Sequence, residues 1–251
     1  MDKKSSFNNL QNKTVLITGA AGVLGVALIE YFSFLDCHFI LLNSNKEKMA
    51  LLANQLAERG IDPACFSVDF RDFQQLSEVV ADIASKFKID ILINNAGINL
   101  NKDLLQSTPD DVLDEFKINT LAPFTISKIV ATSMAERKRG SIINIASIKG
   151  SEASSDPGYG MSKAALIQLT LSLAKYFAAN NVRVNAIALG IMESEMIKNF
   201  TGEKKNQYLE KIALRRFANP SEIAELVAFL ASDSASYITG SCFNADGGYK
   251  L

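Results

Sequence analysis

The sequence has little net charge, few cysteines and a single histidine, and each scarcity excludes a class of function. Its 251 residues carry 26 lysines and arginines against 27 aspartates and glutamates, which gives a formal net charge of −1. A near-neutral chain does not concentrate on phosphates, so no nucleic-acid partner is expected. The only histidine, His38, falls within or beside an apolar run and is interpreted as structural rather than catalytic.

The three cysteines, Cys37, Cys65 and Cys242, are odd in number and far apart. They form no C-x-x-C unit, and no other ligand set for a metal is visible, so no metal site is expected. We interpret them as small buried side chains of a protein in a reducing cytosol.

Long hydrophobic runs are also missing. The N-terminus MDKKSSFNNLQNK has no apolar segment behind its charges, which argues against a signal peptide. No window approaches the roughly 18 uncharged apolar residues of a membrane span. A soluble cytoplasmic protein with no membrane partner is therefore expected.

The chain does contain a regular alternation of short apolar runs and helical patterns. The runs lie at 14–18, 38–42, 64–68, 90–94, 141–147, 182–189 and 241–245. They are continuously apolar, as in parallel strands covered on both faces by helices. The pattern predicts an α/β protein with a single-domain Rossmann fold, in which a doubly wound parallel sheet of about seven strands has helices on both faces.

No Pro/Ser-rich linker or charge block divides the chain. We expect residues 1–12 to form a polar N-terminal extension and residues 13–251 to form one Rossmann-fold domain. A long helix is predicted from Pro109 to about Arg139. The polar lid segment, residues 192–216, follows a strand end at the ligand edge, where either a mobile lid or a solvated surface helix is expected.

A glycine-rich turn follows the first strand, since Thr18 to Gly25 reads TGAAGVLG. Such a turn lets backbone amides approach a pyrophosphate at a helix N-terminus. After the second strand no acidic residue is present to bind the ribose of NAD. Ser44 and Lys46 favour NADP over NAD as the cofactor, although no arginine marks a 2′-phosphate.

Tyr159 and Lys163 are four residues apart, which places them on one face of a helix. A neighbouring cation stabilises a phenolate, so the pKa of Tyr159 is expected to lie below its ordinary value of about 10. A Tyr and a Lys at this spacing usually lie on a surface with no function, so the pair gains meaning only from other motifs.

Those motifs are present in order: TGxxxxxG at 18–25, NNAG at 94–97, Asn119, Ser147 and YxxxK at 159–163. With them the sequence resembles the short-chain dehydrogenase/reductase family, in its compact branch of about 250 residues. The resemblance runs from about Lys13 to Gly248. It implies an NAD(P)-dependent oxidoreductase that interconverts a secondary alcohol and a ketone by hydride transfer.

The resemblance also implies roles for four catalytic residues. Tyr159 is the acid/base, and Ser147 holds the oxygen of the substrate. Lys163 binds the nicotinamide ribose and lowers the pKa of Tyr159, while Asn119 anchors a water of the proton relay. Such a site suits the chemistry, because hydride transfer builds negative charge on oxygen and needs a proton donor with a second hydrogen bond.

Further positions match the cofactor contacts of the family. They are Gly19, Ala21, Gly22, Leu24, Ser44, Asp69, Phe70, Asn95, Ala96, Gly97, Tyr159, Lys163, Gly190, Ile191 and Ser194. Among them, Asp69 and Phe70 match the pair beside the adenine, and Ser194 matches the residue that meets the carboxamide. The segment 238–248 resembles one that packs at a subunit interface in many relatives, which implies a homo-oligomer, either a dimer or a tetramer.

Three departures from the family pattern stand out. The glycines are spaced TGxxGxxG, as in the extended branch, so the phosphate turn is expected to differ in shape. Leu189 replaces the proline usual before Gly190, which removes a φ restraint. Tyr159 follows Ser147 by twelve positions, one fewer than is common, which suggests a trimmed loop at 148–158.

Two other functions remain open. A nucleotide-sugar epimerase or dehydratase shares the glycine spacing, but those relatives carry an added C-terminal domain for which this chain has no room. A cofactor-binding protein without catalysis is the second alternative.

The substrate is expected to be a 3-oxoacyl thioester or a sugar-like polar ketone. Residues 213–232 resemble 3-oxoacyl-[acyl-carrier-protein] reductases, and residues 137–139 are basic, as a carrier-docking surface requires. Asn180 and Asn181 lie where those reductases usually have an arginine, and the neutral charge balance weakens the case for an acidic carrier. The hydroxyl-rich segment 151–156 suits a polar substrate, so selectivity is expected from the 148–158 loop and the lid segment.

Overall fold

The seven apolar runs form the strands of one parallel sheet in the computed structural model of the chain, which describes residues 8–194, 197 and 200–249. The strands are β1 (Thr14–Thr18), β2 (His38–Asn43), β3 (Ala64–Ser67), β4 (Ile91–Asn94), β5 (Gly140–Ser147), β6 (Val182–Leu189) and β7 (Cys242–Ala245). The predicted fold class is confirmed.

The helices cover both faces of the sheet. They are α1 (Val23–Ser33), α2 (Lys46–Ala57), α3 (Phe73–Lys86), α4 (Pro109–Phe116), α5 (Ala122–Glu136), α6 (Pro157–Phe177), α7 (Gly202–Glu210) and α8 (Pro220–Ala231). Apolar residues of α1, α2 and α8 form the core on one face, and those of α3, α5 and α6 form the core on the other. None of the helices in the described part of the chain is long and apolar enough to cross a membrane.

The strand order is β3-β2-β1-β4-β5-β6-β7, so the chain reverses direction across the sheet between β1 and β4. In open α/β sheets ligands bind outside the carboxyl ends of the strands at such a reversal. The ends of β5 and β6 are aligned, since Ser147 pairs with Leu189, whereas Asn94 at the end of β4 pairs with Asn144 and β5 continues past it to Ser147. The sheet therefore brings the motif residues after β1, β4, β5 and β6 to one edge.

The predicted helical stretch from Pro109 to about Arg139 is confirmed over Pro109–Glu136, but it contains an interruption that the sequence did not indicate. Helix α4 ends at Phe116, and a π-helical turn at Lys117–Leu121 joins it to α5. The turn contains Asn119, which is 0% exposed. A π turn inserts an extra residue and changes which side chains face inward, as is frequent at functional sites.

Parts of the expected N-terminal extension and lid lie outside the described residues, namely 1–7, 195–196 and 198–199. Asn8–Leu10 forms a 3-10 turn, and Leu10 is buried in the core rather than part of a polar extension. In the lid segment α7 has no fully buried residue.

Cys37 and Cys65 are half-buried, whereas Cys242 is exposed on the edge strand β7. The prediction that all three are buried is therefore wrong for Cys242, because an edge strand covers only part of its surface. His38 is exposed at the start of β2, at the opposite end of the strand from the carboxyl edge.

A buried amide network lies just below the carboxyl edge. Asn94 Nδ2 donates to Asn144 Oδ1 at 2.7 Å and to Ser127 Oγ at 2.9 Å. Asn144 Nδ2 in turn donates to Thr170 Oγ1 at 2.9 Å. These bonds join β4 and β5 to α5 and α6, so they tie the motif-bearing strand ends to the helices that flank them.

Replacing Asn144 by leucine is expected to lower the free energy of unfolding by about 2 kcal/mol, because it removes partners from the buried Asn94 and Thr170. Urea unfolding followed by circular dichroism measures the change. Asn54→Leu, on the exposed side of α2, is the control and should leave stability within about 0.5 kcal/mol. Equal stability of the two variants would contradict a structural role for the network.

Candidate active site

A cleft of about 450 Å³ opens at the carboxyl edge of the sheet. Its lining includes nine of the predicted site residues: Leu24, Asn95, Gly97, Ser147, Tyr159, Lys163, Gly190, Ile191 and Ser194. The volume lies within the range of small-molecule sites. The structure therefore brings three of the four predicted catalytic residues to one cleft. Predicted cofactor-binding residues that follow the carboxyl ends of β4 and β6 line the same cleft.

Tyr159 lies in the first turn of α6. Asp156 is the N-cap of this helix, and its Oδ1 accepts the backbone N–H of Tyr159 at 3.0 Å. Lys163 follows one turn later, with its Nζ 5.8 Å from the centroid of the Tyr159 ring. The cap thus sets the position of the phenol, and the helical spacing places the ammonium beside it.

Lys163 is a buried cation, with only 4% of its surface exposed. Its Nζ donates to the carbonyl of Ile145 at 2.9 Å. A Cβ at Gly97 would lie 3.2 Å from this Nζ and 3.1 Å from Asn119 Oδ1, so glycine leaves room above both groups. Burial lowers the pKa of Lys163 to about 8 because the charged form loses its hydration.

The expectation that the pKa of Tyr159 lies below its ordinary value is wrong. Burial raises the pKa of Tyr159, and the negative charges of Glu115 and Asp156 raise it further, while a hydrogen bond with Ser147 acts in the opposite direction. The spacing indicated a neighbouring cation, but the phenolate is disfavoured by lost solvation and by two carboxyl groups from other segments.

The two carboxyl groups form a buried pair behind Tyr159. Glu115 Oε1 accepts the backbone N–H of Leu100 at 2.9 Å. Burial raises the pKa of Glu115, and the side chain of Asp156 adds to the effect. Glu115 therefore connects the loop after β4 to the start of α6, a role that no sequence pattern indicated because α4 carries several other acidic residues.

Ser147 ends β5 and begins a 3-10 turn at Ile148–Gly150. Its Oγ accepts the backbone N–H of Lys149 at 3.2 Å. A Cβ at Gly150 would lie 2.8 Å from the carbonyl carbon of Lys163, so the turn packs directly on α6. Ser147 and Tyr159 are held together by this close contact.

Asn119 lies behind the cleft and does not line it. Its side chain binds the backbone of Ile98 twice, since Oδ1 accepts the N–H at 2.8 Å and Nδ2 donates to the carbonyl at 2.9 Å. Nδ2 also donates to Ser162 Oγ at 2.9 Å. Asn119 thereby joins the end of β4 to α6, between Tyr159 and Lys163.

The glycine-rich turn packs against the end of β4. Gly19 has φ +64°, and a Cβ there would lie 2.8 Å from Ala96 Cα. Thr18 Oγ1 accepts the N–H groups of Asn95 and Ala96, each at 3.0 Å. Asn95 Nδ2 donates back to the carbonyls of Thr18 and Gly19. This clamp requires glycine at 19 and holds the turn open towards solvent.

Gly22 is the N-cap of α1 and provides no side-chain cap. The first backbone N–H groups of α1 therefore face no capping oxygen of their own N-cap residue, which suits a phosphate. The middle glycine of the turn lies at position 22 instead of 23. A Cβ at Gly22 would lie 3.2 Å from the carbonyl oxygen of Gly19, so the packing of the turn favours glycine there. The predicted contacts Ala21 and Gly22 flank this point on the turn.

The predicted adenosine contacts lie apart from the cleft. Ser44 is exposed after β2, and Asn45 is used as the N-cap of α2. Asp69 is exposed, and its Oδ1 accepts the backbone N–H of Arg71 at 3.0 Å. Phe70 is 3% exposed and packs in the core, so only its backbone is available to a ligand.

Gly190, directly after β6, packs too closely against the chain after β7 for a larger residue. Gly190 N–H donates to the carbonyl of Ala245 at 2.9 Å, and a Cβ there would lie 2.7 Å from Asp246 Cα. Neighbouring β7 therefore fixes the turn that lacks a proline at Leu189. Beyond it, Ile191 and Ser194 lead into the lid segment.

Several lining residues were missed from the sequence. They are Ile98, Asn99, Asn101, Ile145, Ala146, Ile148, Lys149, Leu189, Met192, Ile197, Phe200, Tyr208 and Tyr249. Those from the 148–158 loop and the lid segment lie in regions expected to set selectivity. Asn99, Asn101 and Tyr249 come from segments with no motif of their own, and only the folded chain shows their proximity.

Comparison with known proteins agrees with this geometry. A family model described as "Enoyl-(Acyl carrier protein) reductase" matches residues 19–250. The chain is 35% identical to the 3-oxoacyl-[acyl-carrier-protein] reductase FabG of Thermotoga maritima, over 96% of this chain and 99% of that protein. It is also 35% identical to the oxidoreductase UcpA of Salmonella typhimurium, over 98% of this chain and 97% of that protein.

A similar solved structure is provisionally assigned as an NAD(P)-dependent gluconate 5-dehydrogenase of Beutenbergia cavernae, with bound NADP at low occupancy. It has a TM-score of 0.90 and 26% identity and covers 96% of this chain and 98% of that one. Fold and relatives define an NAD(P)-dependent oxidoreductase. The chain belongs to the short-chain dehydrogenase/reductase family.

The buried Lys163 makes stability depend on alkaline pH. Its pKa falls from an ordinary 10.5 to about 8 on folding, so the folded state binds fewer protons between these values. Relative to Lys163→Met, the wild type should gain roughly 3 kcal/mol of unfolding free energy as the pH rises through this window. Urea unfolding of both proteins across the window measures the difference, and a constant difference would show that Lys163 is not desolvated.

Proposed function

We propose that the protein reduces a ketone to a secondary alcohol, or runs the reverse oxidation, with Tyr159 as the acid/base. The observation that carries the proposal is the convergence of Tyr159, Ser147 and Lys163 in one cleft at the carboxyl edge. The family supplies the reaction type, and the cleft supplies the groups that this reaction needs.

Tyr159 gives its proton to the substrate oxygen as negative charge develops there. Its raised pKa keeps the phenol protonated at neutral pH, which suits reduction. Ser147 donates a second hydrogen bond to the same oxygen, from a hydroxyl fixed at the end of β5. Lys163 stabilises the resulting phenolate. Asn119 holds the backbone of Ile98 in place, and a water bound there can return the proton to Tyr159.

The chain also fits a nicotinamide dinucleotide, which supplies or accepts the hydride when bound. Gly19, Ala21 and Leu24 offer backbone N–H groups to the pyrophosphate. The N–H of Gly22 donates to the carbonyl of Gly19 at 3.0 Å, so Gly22 would contribute close approach without a side chain. Lys163 and Tyr159 would bind the nicotinamide ribose, in the space that Gly97 leaves open. The remaining proposed cofactor contacts are Ser44, Asp69, the backbone of Phe70, Asn95, Ala96, Gly190, Ile191 and Ser194.

Tyr159→Phe is expected to lower kcat by about 1,000-fold or more, because the proton donor is lost, while cofactor binding stays nearly intact. Consumption of NADPH is followed against a panel of ketones, ketosugars and 3-oxoacyl thioesters, and binding by quenching of cofactor fluorescence. Tyr176→Phe, on the exposed end of α6, is the matched control. Retained activity in Tyr159→Phe contradicts the assignment, and a wild type that binds cofactor but reduces no ketone would favour the non-catalytic alternative.

For the cofactor we propose NADP. Ser44 and Lys46 are both exposed at the end of β2, where a 2′-phosphate would lie. A structural neighbour solved with bound NADP supports this choice.

Lys46→Glu should lower kcat/KM for NADPH by about 10-fold and affect NADH less, because it reverses the charge beside the phosphate. Steady-state rates with both cofactors test this. Lys48→Glu, about 200° further round the helix, is the control for charge alone. A wild-type preference for NADH of more than about tenfold would contradict the proposal.

The substrate is proposed to be a sugar-like polar ketone in preference to a 3-oxoacyl thioester. Relatives named for either substrate are found. The basic residues that would dock an acidic carrier have internal partners: Arg137 donates to the carbonyl of Ile89 at 2.6 Å, and Arg139 pairs with Asp233 at 3.1 Å. The cleft lining, by contrast, is mainly apolar but includes the amides of Asn99 and Asn101 and the hydroxyls of Tyr208 and Tyr249.

We further propose that residues 13–251 act as one catalytic domain in a cytoplasmic homodimer or homotetramer. Exposed apolar side chains on α5 and α6, such as Phe124, Met161 and Leu171, would be covered in such an assembly.

A further inference from the structure

The cleft contains a cation that the reaction does not need. Among the described residues that line it, the charged ones are Lys149 and Lys163, and neither Asp nor Glu is present. Lys163 is committed to the carbonyl of Ile145 and to the proposed ribose contact. Lys149 is therefore the charge that remains for the substrate.

The backbone of Lys149 is fixed relative to the reacting oxygen. Its N–H donates to Ser147 Oγ, and the preceding Ile148 is 3% exposed in the core. The following Gly150 packs on the backbone of Lys163 too closely for a Cβ. Lys149 thus extends from a rigid turn two residues after Ser147, so its ammonium samples a restricted volume at the mouth of the cleft.

The ammonium of Lys149 is partly withdrawn from water but weakly paired. Its side chain is 33% exposed, and its Nζ lies 3.8 Å from Glu152 Oε2, at the outer limit of an ion pair. The Nζ also lies 5.5 Å from the centroid of the Tyr249 ring. A carboxylate entering the cleft can make a shorter, charge-assisted hydrogen bond than Glu152 does.

Neutral polar groups line the same cleft as this cation. Asn99, Asn101, Tyr208 and Tyr249 line the same cleft. Asn101 is held at φ +55° by a hydrogen bond from its N–H to Asn99 Oδ1 at 2.8 Å. Amides and phenols suit the hydroxyl groups of a substrate. The lining therefore matches a small molecule that carries both hydroxyl groups and one negative charge.

We propose that Lys149 is a substrate-binding residue that selects a hydroxylated oxo acid, whose carboxylate it binds while Tyr159 and Ser147 hold the ketone oxygen. The inference rests on the proposed ketone reduction and names the substrate class of that site. A 3-oxoacyl thioester carries no charge close to its ketone and would gain nothing from Lys149.

The test compares hydroxylated oxo acids of four to seven carbons with their uncharged methyl esters, using NADPH as the reductant. In the wild type kcat/KM should be about 10-fold or more higher for an acid than for its ester. Lys149→Met should lower this acid-to-ester ratio by about 10-fold, mainly through the KM of the acid, and Lys149→Arg should restore most of it. Lys175→Met removes the same charge from the exposed far end of α6 and should leave the ratio as in the wild type.

Equal kcat/KM for acids and esters in the wild type, or an unchanged ratio in Lys149→Met, overturns the role of Lys149 while leaving ketone reduction in place. Failure of the proposed function looks different, since no ketone of any charge is then reduced. In that case calorimetric binding of the corresponding hydroxy acids decides: binding weakened at least about 10-fold in Lys149→Met supports the carboxylate site, and equal binding overturns it.

Discussion

The Lys163 ammonium is buried with no carboxylate partner among the described residues, and the site depends on this constraint. A buried charge is costly unless it is hydrogen-bonded, and the protein holds this one with the carbonyl of Ile145. Gly97 and Gly150 allow the surrounding backbone to approach without a Cβ. The π turn places the Asn119 amide next to it. The strained and tightly packed positions of the carboxyl edge thus surround one cation.

That cation and the phenol beside it have pKa shifts of opposite sign for the same reason. Burial lowers the pKa of Lys163 and raises that of Tyr159, so both neutral forms are favoured. The buried carboxyl pair of Glu115 and Asp156 strengthens the effect on Tyr159. The free protein therefore holds a protonated phenol, which is the form that a carbonyl reductase requires at the start of its reaction.

The alternation of apolar runs was enough to predict the sheet, because strands buried on both faces must be continuously apolar. The motif order predicted which residues meet at the edge, since parallel strands end on the same side. The pattern did not reveal the π turn at 117–121, because one inserted residue barely disturbs helical periodicity. Nor did it reveal the raised pKa of Tyr159, which depends first on burial and then on Glu115, from a helix that is distant in the sequence. Lys149 and Tyr249 were missed because only the fold brings them together.

The most direct test of the account is an experimental structure of the protein with bound NADP. We expect the pyrophosphate on the backbone between Gly19 and Leu24, and the nicotinamide ribose within hydrogen-bond distance of Lys163 Nζ and the Tyr159 hydroxyl. A cofactor bound elsewhere, or a ribose that leaves Lys163 bonded to Ile145 alone, would contradict the claim that the buried lysine exists to hold the cofactor beside the acid.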